Sequence, residues 1–159
     1  MFTLIFIDDE RDIEDVTWVV YPEGIKTIIL RTYQDFLNYL PEITSETIPY
    51  LLFSFDHDLG LFENGVELTG LTCAKSLINY LNENGIKYKG QLNAISHSQN
   101  PVGRNTIENY LKDKTKIELE CHGCGHKGED VYQDDYGFNI CRVNKCTPYS
   151  VRGLSREDF

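Results

Sequence analysis

Apolar residues in this chain come in short dense runs that end abruptly in charge. Phe2 to Ile7 empties into Asp8-Asp9-Glu10-Arg11, and Tyr50 to Phe55 into Asp56-His57-Asp58. A run apolar at both alternating positions predicts a strand covered on both faces, with its polar residues delivered at the carboxyl end. Lys26–Leu30 and Gln91–Ile95 predict two further strands. Between them the spacing becomes helical. Tyr33, Phe36, Leu37 and Leu40 recur until Pro41 stops them, and Leu71, Ala74, Leu77, Ile78 and Leu81 form a stripe capped by Thr69 and ended by Asn84-Gly85. A last helix runs from Val102 to about Leu111, with Asn100 as N-cap and Pro101 in its first turn. Cys73, on the second helix, is expected to serve as a small core residue. Gly60 to Leu68 is expected to be a Gly-rich acidic loop.

Alternating strands and helices predict an α/β fold: a doubly wound parallel sheet in the order 2-1-3-4, with helices on both faces. In such sheets ligands bind beyond the strand carboxyl ends where the winding reverses, here between the first and third strands. Asp8, Asp9, Asp56 and Asp58 fall there, beside a turn carrying Ser96, His97 and Ser98. Four gathered carboxylates repel unless some protonate or a cation enters, and a hard divalent ion such as Mg²⁺ suits them. The alternative for Asp8-Asp9 is a capped turn. His57 and His97 add groups that exchange protons near neutrality. Ser96 or Ser98 could hydrogen-bond a phosphate oxygen, and the helix start from Asn100 to Gly103 offers N–H groups to an anion.

Of the five cysteines, Cys121, Cys124, Cys141 and Cys146 crowd one short segment. Cys121 and Cys124 form a C-x₂-C knuckle, and Cys141 with Cys146 a wider C-x₄-C pair, so four thiolates suit a structural Zn²⁺. His122 or His126 could replace a ligand, and a Cys141–Cys146 disulfide is the alternative to metal. Val131–Gln133 and Phe138–Val143 predict a hairpin, giving a small zinc-ribbon-like β module. The expected organisation is an α/β domain over 1–113, this module over 114–150, and a tail over 151–159.

Charge limits the partners. The chain carries 15 Lys and Arg against 25 Asp and Glu, a formal charge of −10, which opposes non-specific binding to nucleic acid. The excess is concentrated in residues 1–113. Lys127, Arg142, Lys145, Arg152 and Arg156 give the module a modest basic surface through which a protein partner could bind. The longest apolar runs fall far short of a membrane span and the N-terminus has no secretory pattern, so a soluble cytoplasmic protein is expected.

Three phrases carry a family resemblance: Phe6-Ile7-Asp8-Asp9-Glu10-Arg11, Phe55-Asp56-His57-Asp58-Leu59-Gly60, and Ser96-His97-Ser98-Gln99-Asn100-Pro101-Val102-Gly103. Over roughly residues 1–113 the chain resembles the cyclic-phosphate-processing receiver-like family of bacteria and phages, built on the two-component receiver fold. The resemblance implies that Asp8 and Asp9 belong to an acidic metal pocket and that Asp56 stands at the phosphoacceptor position. It also places Ser96 near the usual hydroxyl and marks His57 and His97 as what separates the family from signalling receivers. No fifth strand ending in lysine is evident unless Lys114 or Lys116 substitutes. The expected function is a metal-assisted phosphoesterase, with Asp8, Asp9 and Asp56 holding Mg²⁺. In this reading His57, His97, Asp56 and Asp58 are catalytic and Ser96, Ser98, Asn100 and Gly103 bind phosphate. Its substrate would be a cyclic nucleotide or RNA ending in a cyclic phosphate. The alternative is a non-enzymatic module that binds a nucleotide or a protein, or sequesters a cyclic nucleotide messenger.

Overall fold

The computed structural model describes residues 2–117, 119–122, 124–128, 131–133 and 139–141. The chain divides into two compact units, the first over residues 1–116 and the second beginning at Ile117. In the first unit β1 (Thr3–Ile7), β2 (Lys26–Leu30), β3 (Leu51–Phe55) and the later strand Asn93–Ser96 form one sheet. All its neighbours pair in parallel. The Asn93–Ser96 strand is the sixth in chain order, β6, because a hairpin of β4 (Asp58–Glu63) and β5 (Val66–Thr69) precedes it. The sheet order β2-β1-β3-β6 is the predicted 2-1-3-4.

Three helices accompany the sheet: α1 (Tyr33–Tyr39), α2 (Gly70–Glu83) and α3 (Pro101–Thr115). Each starts where its capping chemistry lies. Thr32 and Asp35 exchange reciprocal side-chain-to-backbone bonds of 3.0 Å at the start of α1. Thr72 Oγ1 accepts from the Thr69 N–H at 3.1 Å before α2, and Asn100 Oδ1 accepts from the Gly103 N–H at 3.1 Å in α3. Gly85 follows α2 at φ +64°, the left-handed turn that ends it. The α3 helix runs one turn beyond the expected Leu111.

The expectation of helices on both faces needs correction. Phe36 of α1, Cys73, Leu77 and Leu81 of α2, and Ile107 and Leu111 of α3 share one core with Ile5, Ile7, Phe53 and Phe55. The opposite face, with Leu4, Phe6 and Leu52, is covered by Ile13, Val16, Val19, Tyr21 and Ile25. That segment contains a single 3₁₀ turn, Ile13–Asp15, and no α-helix. Topology explains the asymmetry. Right-handed crossovers put the β1-to-β2 connection on one face and the rightward connections on the other. Winding is therefore still double, but one face is closed by a loop.

The second correction concerns residues 60–68, which are not a loop. The β4–β5 hairpin turns at Asn64 (φ 51°) and Gly65 (φ 78°), the paired positive angles of a tight hairpin turn. In the second unit β7 (Val131–Gln133) and β8 (Asn139–Cys141) pair antiparallel, as the hairpin expectation required. Cys146, Arg142, Lys145, Arg152, Arg156 and the tail from Thr147 lie outside the described residues. Among the described residues no helix is long and apolar enough to cross a membrane.

Candidate functional site

Strand register builds the site. Ile7 stands opposite Phe55, and Phe55 opposite Ser96, so β1, β3 and β6 end level with one another. The next residues, Asp8, Asp56 and His97, are consequently neighbours across the sheet. Backbone bonds hold them there, from Asp56 N to Ile7 O at 2.8 Å and from His97 N to Phe55 O at 3.0 Å. One ligand atom from each of the three lies within 4.8 Å of the others. All three residues are buried.

His97 is fully enclosed. Its ring stacks on Phe6 at 4.4 Å between centroids and 10° between planes. Nδ1 lies 2.8 Å from Ser54 Oγ, which lies 2.8 Å from Tyr21 OH, and Nε2 lies 3.1 Å from Asp8 Oδ2. A hydrogen-bonded chain Tyr21–Ser54–His97–Asp8 therefore runs beneath the loop-covered face. Trp18 Nε1 donates to the His97 carbonyl at 2.8 Å. Asp8 Oδ1 accepts from the Glu10 and Arg11 N–H groups at 2.8 and 2.6 Å. Burial pushes the Asp8 carboxyl up, but the bond from His97 and those backbone donors outweigh it and hold it down at about 2.

Above this layer opens a cavity of about 250 Å³ lined by Asp9, Glu10, Arg11, Asp56, Asp58, Gly60, Ser98, Gln99 and Asn100. It lies at the reversal of winding where ligands of open α/β sheets bind. Asp9 is pushed up from the ordinary carboxylate value by burial, with the charges of Asp8, Glu10 and Asp56 adding to it. Asp58 Oδ1 is 2.7 Å from His57 Nδ1, and Asp58 Oδ2 faces Asn100 Nδ2 at 3.5 Å. The expected site residues thus separate into two groups. Asp9, Asp56, Asp58, Ser98 and Asn100 line the cavity, whereas Asp8, His57, Ser96, His97 and Gly103 do not. Ser96 Oγ donates to the Phe55 carbonyl at 2.9 Å, and the Gly103 N–H is already given to the Asn100 cap. Pro101 has no N–H, so the start of α3 has few donors left for an anion.

Sequence reasoning gave Arg11 no role, yet it is the cation of the cavity. Its Nη1 lies 3.4 Å from both Asp8 Oδ2 and Asp56 Oδ2. Trp18 and Tyr21, also given no role, close the layer beneath. The only advance signal for Arg11 was its place three residues after a strand-end aspartate. Lys114 does not stand in for the receiver lysine. Lys114 pairs with Asp113 and lies over Tyr110, about 20 Å along the helix from the cavity.

Among the described residues, two groups of side chains fit metals. Asp8 and Asp56 turn one oxygen each toward a single positive charge, supplied here by Arg11. That convergence suits a hard divalent cation, with Asp9 at the rim. In the second unit the sulfurs of Cys121, Cys124 and Cys141 lie within 4.8 Å of one another. Cys124 and Cys141 are 3.4 Å apart, far beyond a disulfide and close to the ~3.8 Å between thiolates on one tetrahedral metal. The Cys121 N–H donates to His126 O and the Gly125 N–H to Cys121 O, forming the knuckle. His122 Nδ1 accepts from the Asn139 N–H at 3.3 Å, so that ring nitrogen is turned to backbone.

Comparison with known proteins agrees with this architecture. No curated protein and no solved structure matches the chain. The family described as the cyclic-phosphate processing receiver domain matches residues 3–113, which include the whole of the four-stranded sheet, α1, α2, most of α3 and the residues lining the strand-end cavity. The chain belongs to the cyclic-phosphate processing receiver domain family.

Proposed function

We propose that the protein is a metal-assisted phosphoesterase that opens a cyclic phosphate, in a nucleotide or at an RNA end. The observation that carries this reading is the strand-end cavity, where acid, base and cation face one space. Ring opening forms a bond from a water oxygen to phosphorus and breaks one ring P–O bond. The water gives up a proton and the released oxygen gains one. Asp58, backed by His57, would take the first proton. Asp58 would then return that proton to the released oxygen, which leaves Asp9 ionised for the metal. Asp8, Asp9 and Asp56 would hold Mg²⁺, which when bound supplies charge to stabilise the developing phosphorane oxygens. His97 serves as a positioning residue through Asp8. Ser98 and Asn100 bound the phosphate from the α3 side.

Zn²⁺ is the proposed metal of the cysteine module, with Cys146 as fourth ligand beside Cys121, Cys124 and Cys141. Four protein ligands would make it structural. A protein partner would bind through this module, and the protein would act in the cytoplasm.

One observation favours a second reading, capture of a cyclic nucleotide without cleavage: neither histidine lines the cavity. The two readings separate when the zinc-replete protein is incubated with 2′,3′- and 3′,5′-cyclic nucleotides, with Mg²⁺ or EDTA. Ring-opened product supports hydrolysis, and saturable binding with intact ligand supports capture.

A further inference from the structure

Arg11 is held in an unusual way. Its backbone is pinned, since its N–H donates to Asp8 Oδ1 at 2.6 Å and its carbonyl accepts from Arg31 Nη1. Its guanidinium is not. Only Nη1 touches carboxylates, at 3.4 Å from each, longer than the 2.7–2.9 Å of a strong charge-assisted bond. Nε and Nη2 donate to no group among the described residues, and the side chain is one-third exposed. The ring of Trp18 lies 5.9 Å from the guanidinium carbon. An arginine with a fixed Cα, a loose head and unfilled donors beside a cavity is a group ready to change partners.

Charge gives that change a direction. Asp9, Glu10, Asp56 and Asp58 line the cavity with Arg11 as the single lining cation among the described residues, and Asp8 lies beneath. A phosphate entering this wall is repelled unless positive charge is added and the existing cation is free to meet it. A divalent ion bound by Asp8 and Asp56 would do both, because it takes over the two oxygens that Nη1 now shares. The released planar fork matches phosphate geometry.

We propose that Arg11 is the phosphate-binding residue of the cavity and an internal competitor of the metal: cation binding at Asp8 and Asp56 releases its guanidinium to the ligand phosphate. This rests on the metal-dependent phosphate site proposed above and assigns the one residue that couples its two ligands.

Trp18 is the sole tryptophan and reports the move directly. Mg²⁺ alone is titrated into the full chain by calorimetry and Trp18 fluorescence, followed by inorganic phosphate at saturating Mg²⁺, for wild type, Arg11→Lys and Arg11→Gln. Thermal melts check that each variant is folded. In wild type, Mg²⁺ changes Trp18 emission and phosphate then binds. Arg11→Gln should bind Mg²⁺ several-fold more tightly, show no Mg²⁺-induced change in emission, and bind phosphate about tenfold or more weakly. Arg11→Lys, which keeps charge without the fork, should fall between. Weaker Mg²⁺ binding in Arg11→Gln, phosphate affinity equal to wild type, or no phosphate binding by wild type at saturating Mg²⁺ would each overturn the proposal. Phosphate capture that depends on Arg11 without opening of any cyclic phosphate would leave Arg11 assigned and remove hydrolysis. Turnover that persists in Arg11→Gln would remove Arg11 alone.

Discussion

His97 Nε2 lies 3.1 Å from Asp8 Oδ2, inside the protein, joining two residues 89 positions apart. The bond exists because β1, β3 and β6 end in register, and the ring is fixed by Phe6 beneath and Ser54 at Nδ1. A ring with no exposure acts on a ligand through Asp8. His97→Ala leaves Ser54 and Asp8 without their partner and opens a cavity. It should cost about 2–4 kcal/mol and lower the melting midpoint by about 10 °C, with activity falling alongside. His97→Gln, which retains a donor, should recover part of both. An unchanged midpoint with lost activity would instead put the imidazole at the substrate.

Asp8 links this network to acid stability. Its carboxyl is held at about 2 against an ordinary value of 3.8. The unfolded chain therefore takes up the proton first as pH falls. Asp8 contributes about 2 kcal/mol above pH 4, and that share disappears as pH drops through 2. Urea unfolding of wild type and Asp8→Asn from pH 6 to pH 2 checks this. The variant should be less stable near neutrality and lose less stability below pH 4; parallel profiles would mean Asp8 is not the group that titrates.

Two glycines hold the site by being small. A Cβ on Gly70 would sit 1.8 Å from the Asp56 carbonyl oxygen, and one on Gly103 would sit 2.2 Å from Cγ of His57. The first obstacle is backbone in the middle of the site; the second is the near end of the His57 side chain, whose Cβ would itself stand at 2.7 Å, so turning the ring does not clear it. Gly70→Ala should therefore destabilise by about 3 kcal/mol or more and Gly103→Ala by about 1–3 kcal/mol, with the second displacing His57 from Asp58. Thermal melts give the order, and the His57 ring signals in NMR give the displacement. Equal, small losses would contradict these contacts.

Thiol chemistry tests the two units separately. Cys73 is fully buried in the main core, and burial pushes its thiol up to about 12. It should stay unreactive toward a disulfide reagent until the first unit unfolds. The module cysteines should be protected by one Zn²⁺ per chain and react together when a chelator removes it. Cys121→Ser should abolish stoichiometric zinc. Full reactivity in the metal-loaded protein, or no metal after purification with zinc, would count against the module as a zinc site.

Much of the first unit was legible in the sequence because buried parallel strands are written as uninterrupted apolar runs. Leu4 to Ile7 and Leu51 to Phe55 left no other reading, and the order of the four strands followed from short right-handed connections. The loop-covered face was not legible: Ile13, Val16, Val19 and Tyr21 bury without helical periodicity. The β4–β5 hairpin was legible and was passed over. Its Asn64-Gly65 turn is a strong local signal, but flanking Gly60, Glu63 and Glu67 gave the stretch the composition of a loop. The acidic half of the site came from runs ending in charge. Arg11 and the burial of His97 did not, since both depend on register between distant strands, which composition does not carry.

The most direct test is the rate at which 2′,3′-cyclic nucleotides are opened by wild type and by Asp56→Asn, with Mg²⁺ or EDTA, products being resolved by chromatography and mass spectrometry. The account predicts Mg²⁺-dependent formation of a nucleoside monophosphate by wild type. It predicts a rate at least about 100-fold lower in Asp56→Asn, which should retain its fold. Intact cyclic nucleotide after incubation with wild type, or equal rates in the two proteins, would contradict it.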